Sequence, residues 1–152
     1  MLEMFDRERG RKRLVFNGDF HWFDADPARF ARVQQAVLAH CRRTGTWLLA
    51  DEVYERLYYE PTPNGCAPSF LDVAAPDDQL VVVHSFSKSF LMTGWRLGWL
   101  VMPPSMTHHL GKLIEFNTSC ASVFTQRAGI VALQRTDEVT PRVVAHLKHC
   151  RD

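Results

Sequence analysis

Phe30, Val33, Val37, Leu38 and Cys41 recur at the three- and four-residue spacing of one helix face, with Asp26 as an N-cap, Pro27 at the first helical position and Gly45 as the stop. The period then changes. Residues 46–50 (TWLLA) form a short apolar strand, and Val81, Val82 and Val83 form a continuous β-branched run, as in a strand buried on both faces of a parallel sheet. A third strand is expected over 96–102, ended by Pro103-Pro104. Helical spacing returns in three sets: Met106, Leu110 and Leu113; Val123, Phe124, Ala128 and Val131; and Val139, Val143 and Leu147, the last with its cap expected at Thr140-Pro141 or nearby. Pro61, Pro63, Asn64-Gly65 and Pro68 mark an irregular connection, one helical turn is expected around 70–73, and Pro76-Asp77-Asp78 leads into the second strand. Upstream, Leu14-Val15-Phe16 and the aromatic stretch 20–23 flank Asn17-Gly18-Asp19, which reads as a hairpin turn. Strands alternating with helices make an α/β unit, a mostly parallel sheet flanked by helices.

The chemistry gathers at strand ends. Ser85, Ser87 and Ser89 break the apolar pattern after the valine run, so Lys88 sits just past a strand terminus, where ligands collect in open α/β sheets. The strand at 46–50 delivers Asp51, and then Tyr54, to the same kind of position. Arg96 follows Lys88 by eight residues inside GWRLGW, where Gly94 and Gly98 permit close backbone approach and Trp95 and Trp99 wall off solvent. A lysine acts as a covalent catalyst by forming an imine with an aldehyde, and a guanidinium suits a phosphate dianion. Each residue alone has a plainer explanation. S-x-S-K matches many surface turns, a lone Asp after a strand usually caps a helix, and Arg96 suits an edge strand, lying over Trp95 or Trp99.

Together, Ser85-Phe86-Ser87-Lys88, Gly94-Trp95-Arg96-Leu97-Gly98 and the upstream Asp51-Glu52-Val53-Tyr54 resemble the lysine segment of class I/II aminotransferases, fold type I enzymes dependent on pyridoxal phosphate. The resemblance runs from about Gln34 to the end, so residues 1–33 form an unmatched N-terminal segment and 34–152 a partial cofactor-binding large domain. It implies that Lys88 holds pyridoxal 5'-phosphate as a Schiff base and shuttles a proton. Asp51 keeps the pyridine nitrogen protonated, Tyr54 bonds the ring oxygen, and Ser85 and Arg96, with Ser87 as a weaker candidate, take the phosphate. Glu52 has no matching role and is expected to be structural or solvated. The implied reaction moves an amino group between an amino acid and a 2-oxo acid. Lyases of the same fold use the same segment, and a short chain without turnover of its own is the alternative from another class. A homodimer is implied for a full-length relative. The family's Asn-Pro-x-Gly stretch, its stacking aromatic and its substrate-gripping arginine have no match in these residues, so the substrate is unspecified.

Composition adds exclusions. At 152 residues with 46% hydrophobic and 23% charged, the chain suits one core. A formal net charge of +1 gives no overall field for nucleic acid, and RGRKR at 9–13 reads as a solvated run. Cys41, Cys66, Cys120 and Cys150 are too scattered for a C-x-x-C pair and suit reduced thiols in the cytoplasm. No apolar run is long enough for a membrane helix. His108-His109 and the set His146, His149 and Cys150 supply too few ligands for a closed zinc site, and without a G-x-S-x-G elbow Ser85 and His84 make no hydrolase.

Overall fold

Helix α1 spans Pro27–Thr44, and its inward stripe follows the apolar period, burying Val37, Leu38 and Cys41. The computed structural model describes residues 15–18, 27–60 and 63–152; the expected Asp26 cap and the aromatic stretch 20–23 lie outside them. One position departs from the pattern: Val33 is 45% exposed while Gln34 is buried at 2%. Gln34 precedes Leu38 by four residues and Cys41 by seven, which centres it on the stripe and leaves Val33 at its edge. Gly45 ends the helix at φ +68°, and the Thr46 N–H returns to the Cys41 carbonyl at 3.2 Å, the six-to-one bond of a Schellman stop.

The strands are β1 (Val15–Gly18), β2 (Trp47–Asp51), β3 (Leu80–Ser85) and β4 (Gly98–Val101), in spatial order β1-β2-β3-β4. β1 pairs parallel with β2, and β2 with β3, Asp51 standing in register with Val83. The hairpin expectation is thereby corrected. Asn17 and Gly18 are not a turn but strand residues aligned with Leu49 and Ala50, because a parallel partner overrides a local turn propensity. β3 also departs from the expectation of burial on both faces: Leu80, Val82 and His84 are buried and Val81, Val83 and Ser85 only partly, a period of two with one sealed face. The third strand is shorter than 96–102, since Arg96 adopts a left-handed conformation that no strand tolerates.

The chain divides into two compact units. The first comprises the described residues up to 52, with 68–83 and 100–107; the second comprises 53–67, 84–99 and 108–152. In the first, α1 lays Val37, Leu38 and Cys41 on Leu48, Ala50, Leu80 and Val82, with Phe70 closing the cluster. Phe70 opens a 3-10 turn through Asp72, capped by Ser69. Glu52, expected to be structural or solvated, is structural: buried, its carboxylate accepts from Ser69 Oγ at 2.6 Å and from the Phe70 N–H at 2.9 Å. Asp78 receives two bonds from the Arg42 guanidinium at 2.6 and 2.5 Å and one from the Ala75 N–H at 2.8 Å. Burial, with Asp78 adding to it, pushes the Cys41 thiol above its ordinary range.

The second unit packs Phe86, Phe90 and Met92 with Leu97, Trp99, Ala128, Ala132 and Val139. One helical turn, α2 (Phe86–Ser89), follows β3, and α4 (Val123–Gln134) and α5 (Thr136–Arg151) lie near the end of the chain; α3 (Pro104–Thr118) precedes them. The start of α5 lies near Thr140-Pro141 but earlier, at Thr136, so that Pro141 is inside the helix. The first turn is secured by the Glu138 and Val139 N–H groups, both bonded to the Arg135 carbonyl. Phe116 and Phe124 are among the most exposed side chains, at 88% and 72%. Among the described residues no helix is long and apolar enough to cross a membrane.

Candidate functional site

β3 carries the chain to Ser85, whose extended backbone (φ −149°, ψ 146°) and side chain start α2: Ser85 Oγ accepts the Ser87 N–H at 3.0 Å. The same hydroxyl donates to the Leu97 carbonyl at 3.4 Å, and that carbonyl also receives the Phe86 N–H at 3.1 Å. This fixes the start of the turn. Lys88 is its third residue, half-buried, with Nζ 5.7 Å from the centre of the Tyr54 ring, at the outer limit of a cation–π contact. Tyr54 itself is 40% exposed.

Ser87 is buried beneath the turn. Arg96, at φ 51° and ψ 52°, folds back so that Nη1 donates to the Thr93 carbonyl at 2.9 Å. A guanidinium carries five N–H donors, and this bond uses one of them. Of the six expected site residues, Lys88 and Tyr54 are brought together, Ser85 and Ser87 are joined through the cap, and Arg96 turns toward its own loop. Asp51 closes β2 in the first unit, beside Val83 in the strand register.

The glycines and tryptophans of GWRLGW behave unequally. A Cβ on Gly98 would lie 2.5 Å from the His84 carbonyl oxygen, so this glycine does permit close approach, whereas Gly94 faces open space. Trp99 stacks on His84 with ring centres 5.0 Å apart and meets Phe86 edge-on at 5.2 Å, while Trp95 is 46% exposed.

Two features were not anticipated. His84 is buried with Nδ1 against the Glu55 carboxylate. Its signal was the period of two along β3, which places His84 on the sealed face with Leu80 and Val82. The other is a cavity of about 730 Å³ beside Lys88, bounded across from it by α5. Among the described residues no group of three or more metal-binding side chains assembles; His146 Nε2 meets only Cys150 Sγ, at 3.7 Å.

This donor set fits pyridoxal phosphate: an accessible primary amine for its aldehyde, a phenol beside that amine, and a guanidinium with N–H groups to spare for its phosphate. Comparison with known proteins agrees with that chemistry. The family described as aminotransferase class I and II matches residues 33–152. A probable N-acetyl-LL-diaminopimelate aminotransferase of Bacillus subtilis is 33% identical over 99 residues, covering 65% of this chain and 24% of that protein. A valine–pyruvate aminotransferase of Mycobacterium tuberculosis is 35% identical over 113 residues, covering 74% and 27%. The chain thus spans about a quarter of the length of these relatives. Among solved structures, an aminotransferase from Mycobacterium tuberculosis superposes with a TM-score of 0.65 at 27% identity, over 98% of this chain and 37% of that one. Thermus thermophilus aspartate aminotransferase gives 0.78 at 23% identity, over 100% and 39%, a likeness of fold. With most of its length matched, and with the fold type I architecture those structures share, the chain belongs to the class I and II aminotransferases, a family dependent on pyridoxal phosphate.

Proposed function

We propose that this chain is the cofactor-lysine portion of a pyridoxal phosphate-dependent aminotransferase that moves an amino group from an amino acid to a 2-oxo acid. The observation that carries the reading is the placement of Lys88 on a capped turn at the carboxyl end of β3, its amine beside the Tyr54 ring. Pyridoxal phosphate, when bound, supplies the electron-withdrawing ring that stabilises negative charge on a substrate carbon. Lys88 Nζ would hold the group covalently, and as a free amine it would accept and return the substrate's proton. The Tyr54 phenol would orient the ring oxygen, and the phosphate would be held by Arg96 and by Ser85, whose proton would leave its long 3.4 Å bond to the Leu97 carbonyl, with Ser87 in the lesser part. Asp51 takes the pyridine nitrogen by its place three residues before Tyr54 in the motif. The Phe86, Phe90 and Met92 cluster under the turn keeps water from beneath Lys88. The same reading places residues 34–152 within a larger cofactor-binding domain, puts the protein in the cytoplasm with reduced thiols, and pairs full-length relatives as homodimers.

The test is covalent. Borohydride reduction of the chain with pyridoxal phosphate is expected to fix the cofactor on the one peptide containing Lys88. Label spread over Lys12, Lys112 and Lys148, or concentrated on any of them, overturns the reading, because a random surface amine binds without selection.

A further inference from the structure

His146 and Cys150 lie four residues apart near the end of α5, so both project from one face of the helix, and both are exposed. His146 Nε2 and Cys150 Sγ stand 3.7 Å apart. That separation is close to the bite of a metal ion. Zinc held tetrahedrally, with a nitrogen at about 2.0–2.1 Å and a sulfur at about 2.3 Å, sets the two donors about 3.5–3.6 Å apart. The helix end helps in two ways. Its last turn is held in place, because the Asp152 N–H bonds to the Lys148 carbonyl at 3.1 Å and the Arg151 guanidinium lies 4.6 Å over the Tyr59 ring. A helix C-terminus also carries partial negative charge, which favours a cation at its last turn. Of the basic neighbours there, Arg151 is itself paired with Asp152 at 2.9 Å. Among the described residues no third donor joins the pair, so a closed site stays excluded and an open one does not.

We propose that His146 and Cys150 form a two-ligand clip for a zinc-class dication, with the remaining coordination positions taken by water. Imidazole and thiolate select a borderline-soft ion of this kind over magnesium and calcium, which take oxygen donors. Binding exchanges the thiol proton for the metal: the S–H bond breaks, the sulfur keeps the electron pair and donates it to the ion, and the proton leaves to solvent with no change of oxidation state. His146 also lines the cavity beside Lys88, which puts the clip at the edge of that space. The clip stands on its own geometry and does not depend on the cofactor reading.

The probe is zinc chloride, and the readout is the alkylation rate of each cysteine by iodoacetamide in the reduced full chain, followed peptide by peptide in a mass spectrometer. Zinc is expected to slow Cys150 about tenfold or more, since a metal-bound thiolate is no longer a free nucleophile. Cys120, equally exposed, is expected to keep its rate, and magnesium to protect neither. His146→Gln is expected to weaken the hold on zinc by at least the roughly ten- to hundredfold that loss of a mere supporting partner costs, while His149→Gln leaves it unchanged. Both histidines are exposed, so circular dichroism of the two variants is expected to match the parent. In competition with a chromophoric chelator, Cys150→Ser is expected to lose the same zinc equivalent as His146→Gln. No protection of Cys150, equal protection of Cys120, protection that survives His146→Gln, or equal loss in His149→Gln overturns the clip.

Discussion

His84 Nδ1 lies against the Glu55 carboxylate with both side chains largely withdrawn from water, and the same imidazole stacks on Trp99. Glu55 directly follows Tyr54 and His84 directly precedes Ser85, so this pair ties the residue beside Lys88 to the strand that delivers Lys88. Glu55 has a second partner, Arg56 Nε at 3.5 Å, whereas among the described residues the imidazole has the carboxylate and the ring stack. Removing one side of such a pair therefore costs unequally. Glu55→Leu, which strands a buried imidazole, is expected to lose about 1–3 kcal/mol. His84→Phe keeps the stack and leaves Glu55 with Arg56, so its loss is expected to be smaller. Thermal unfolding of both variants checks this, at about 2–4 °C per kcal/mol for a chain of this size.

The close packing of β4 makes Gly98 the more demanding of two crowded glycines. Its added Cβ would meet the His84 backbone oxygen at 2.5 Å, and backbone held in a sheet does not give way. At Gly129 the contact at 2.5 Å is Leu97 Cδ2, the far end of a flexible side chain. Gly98→Ala is expected to cost about 1–3 kcal/mol through overpacking, and Gly129→Ala less. Equal midpoints for the two variants in urea unfolding would contradict the distinction.

Much of this was legible in the residues. Gly45 as a helix stop, β2 and β3 and the turn after Ser85 all follow from local patterns that the tertiary structure reinforces. What escaped was set by partners distant in sequence. Asn17-Gly18 looks like a turn until a parallel neighbour at 49–50 holds it extended. Pro141 looks like a helix start, yet α5 begins at Thr136, secured through the Arg135 carbonyl. The cavity beside Lys88 carried no motif, because it is a property of packing and not of spacing.

Acid stability should report the Arg42–Asp78 pair. The Arg42 guanidinium, donating two hydrogen bonds, holds the Asp78 carboxyl below the usual carboxylate range, and the Ala75 N–H adds to it against the cost of burial. A carboxyl depressed in the folded state contributes stability that is present above its ordinary pKa and is lost as pH falls through the folded value. Unfolding free energy is therefore expected to decline as pH drops below about 4, and Asp78→Asn to flatten that part of the decline. Arg42 is half-exposed, so solvent and salt screen the pair and the effect is expected to shrink at high ionic strength. A pH profile unchanged by Asp78→Asn would assign the acid sensitivity to other carboxylates.

Arg96 and Lys88 should fail in different ways, because one is expected to contribute affinity and the other a covalent bond. Arg96 is exposed and, among the described residues, its side chain bonds to the Thr93 carbonyl of the same loop, so Arg96→Ala is expected to leave the melting temperature nearly unchanged. Its effect should fall on the phosphate: a charged hydrogen bond is worth about 1.5–3 kcal/mol, or roughly ten- to a hundredfold in affinity for pyridoxal phosphate. Pyridoxal, which lacks the phosphate, provides the control, and its weaker binding is expected to be the same in the parent chain and in Arg96→Ala. Lys88→Ala is expected to do the reverse, retaining much of the phosphate-dependent affinity while losing the absorbance of the covalent adduct and all borohydride fixation at that peptide. Absorbance and fluorescence titrations with the two ligands separate these outcomes. A loss in Arg96→Ala of equal size for pyridoxal and pyridoxal phosphate would remove Arg96 from the phosphate and leave it as a brace for its own turn.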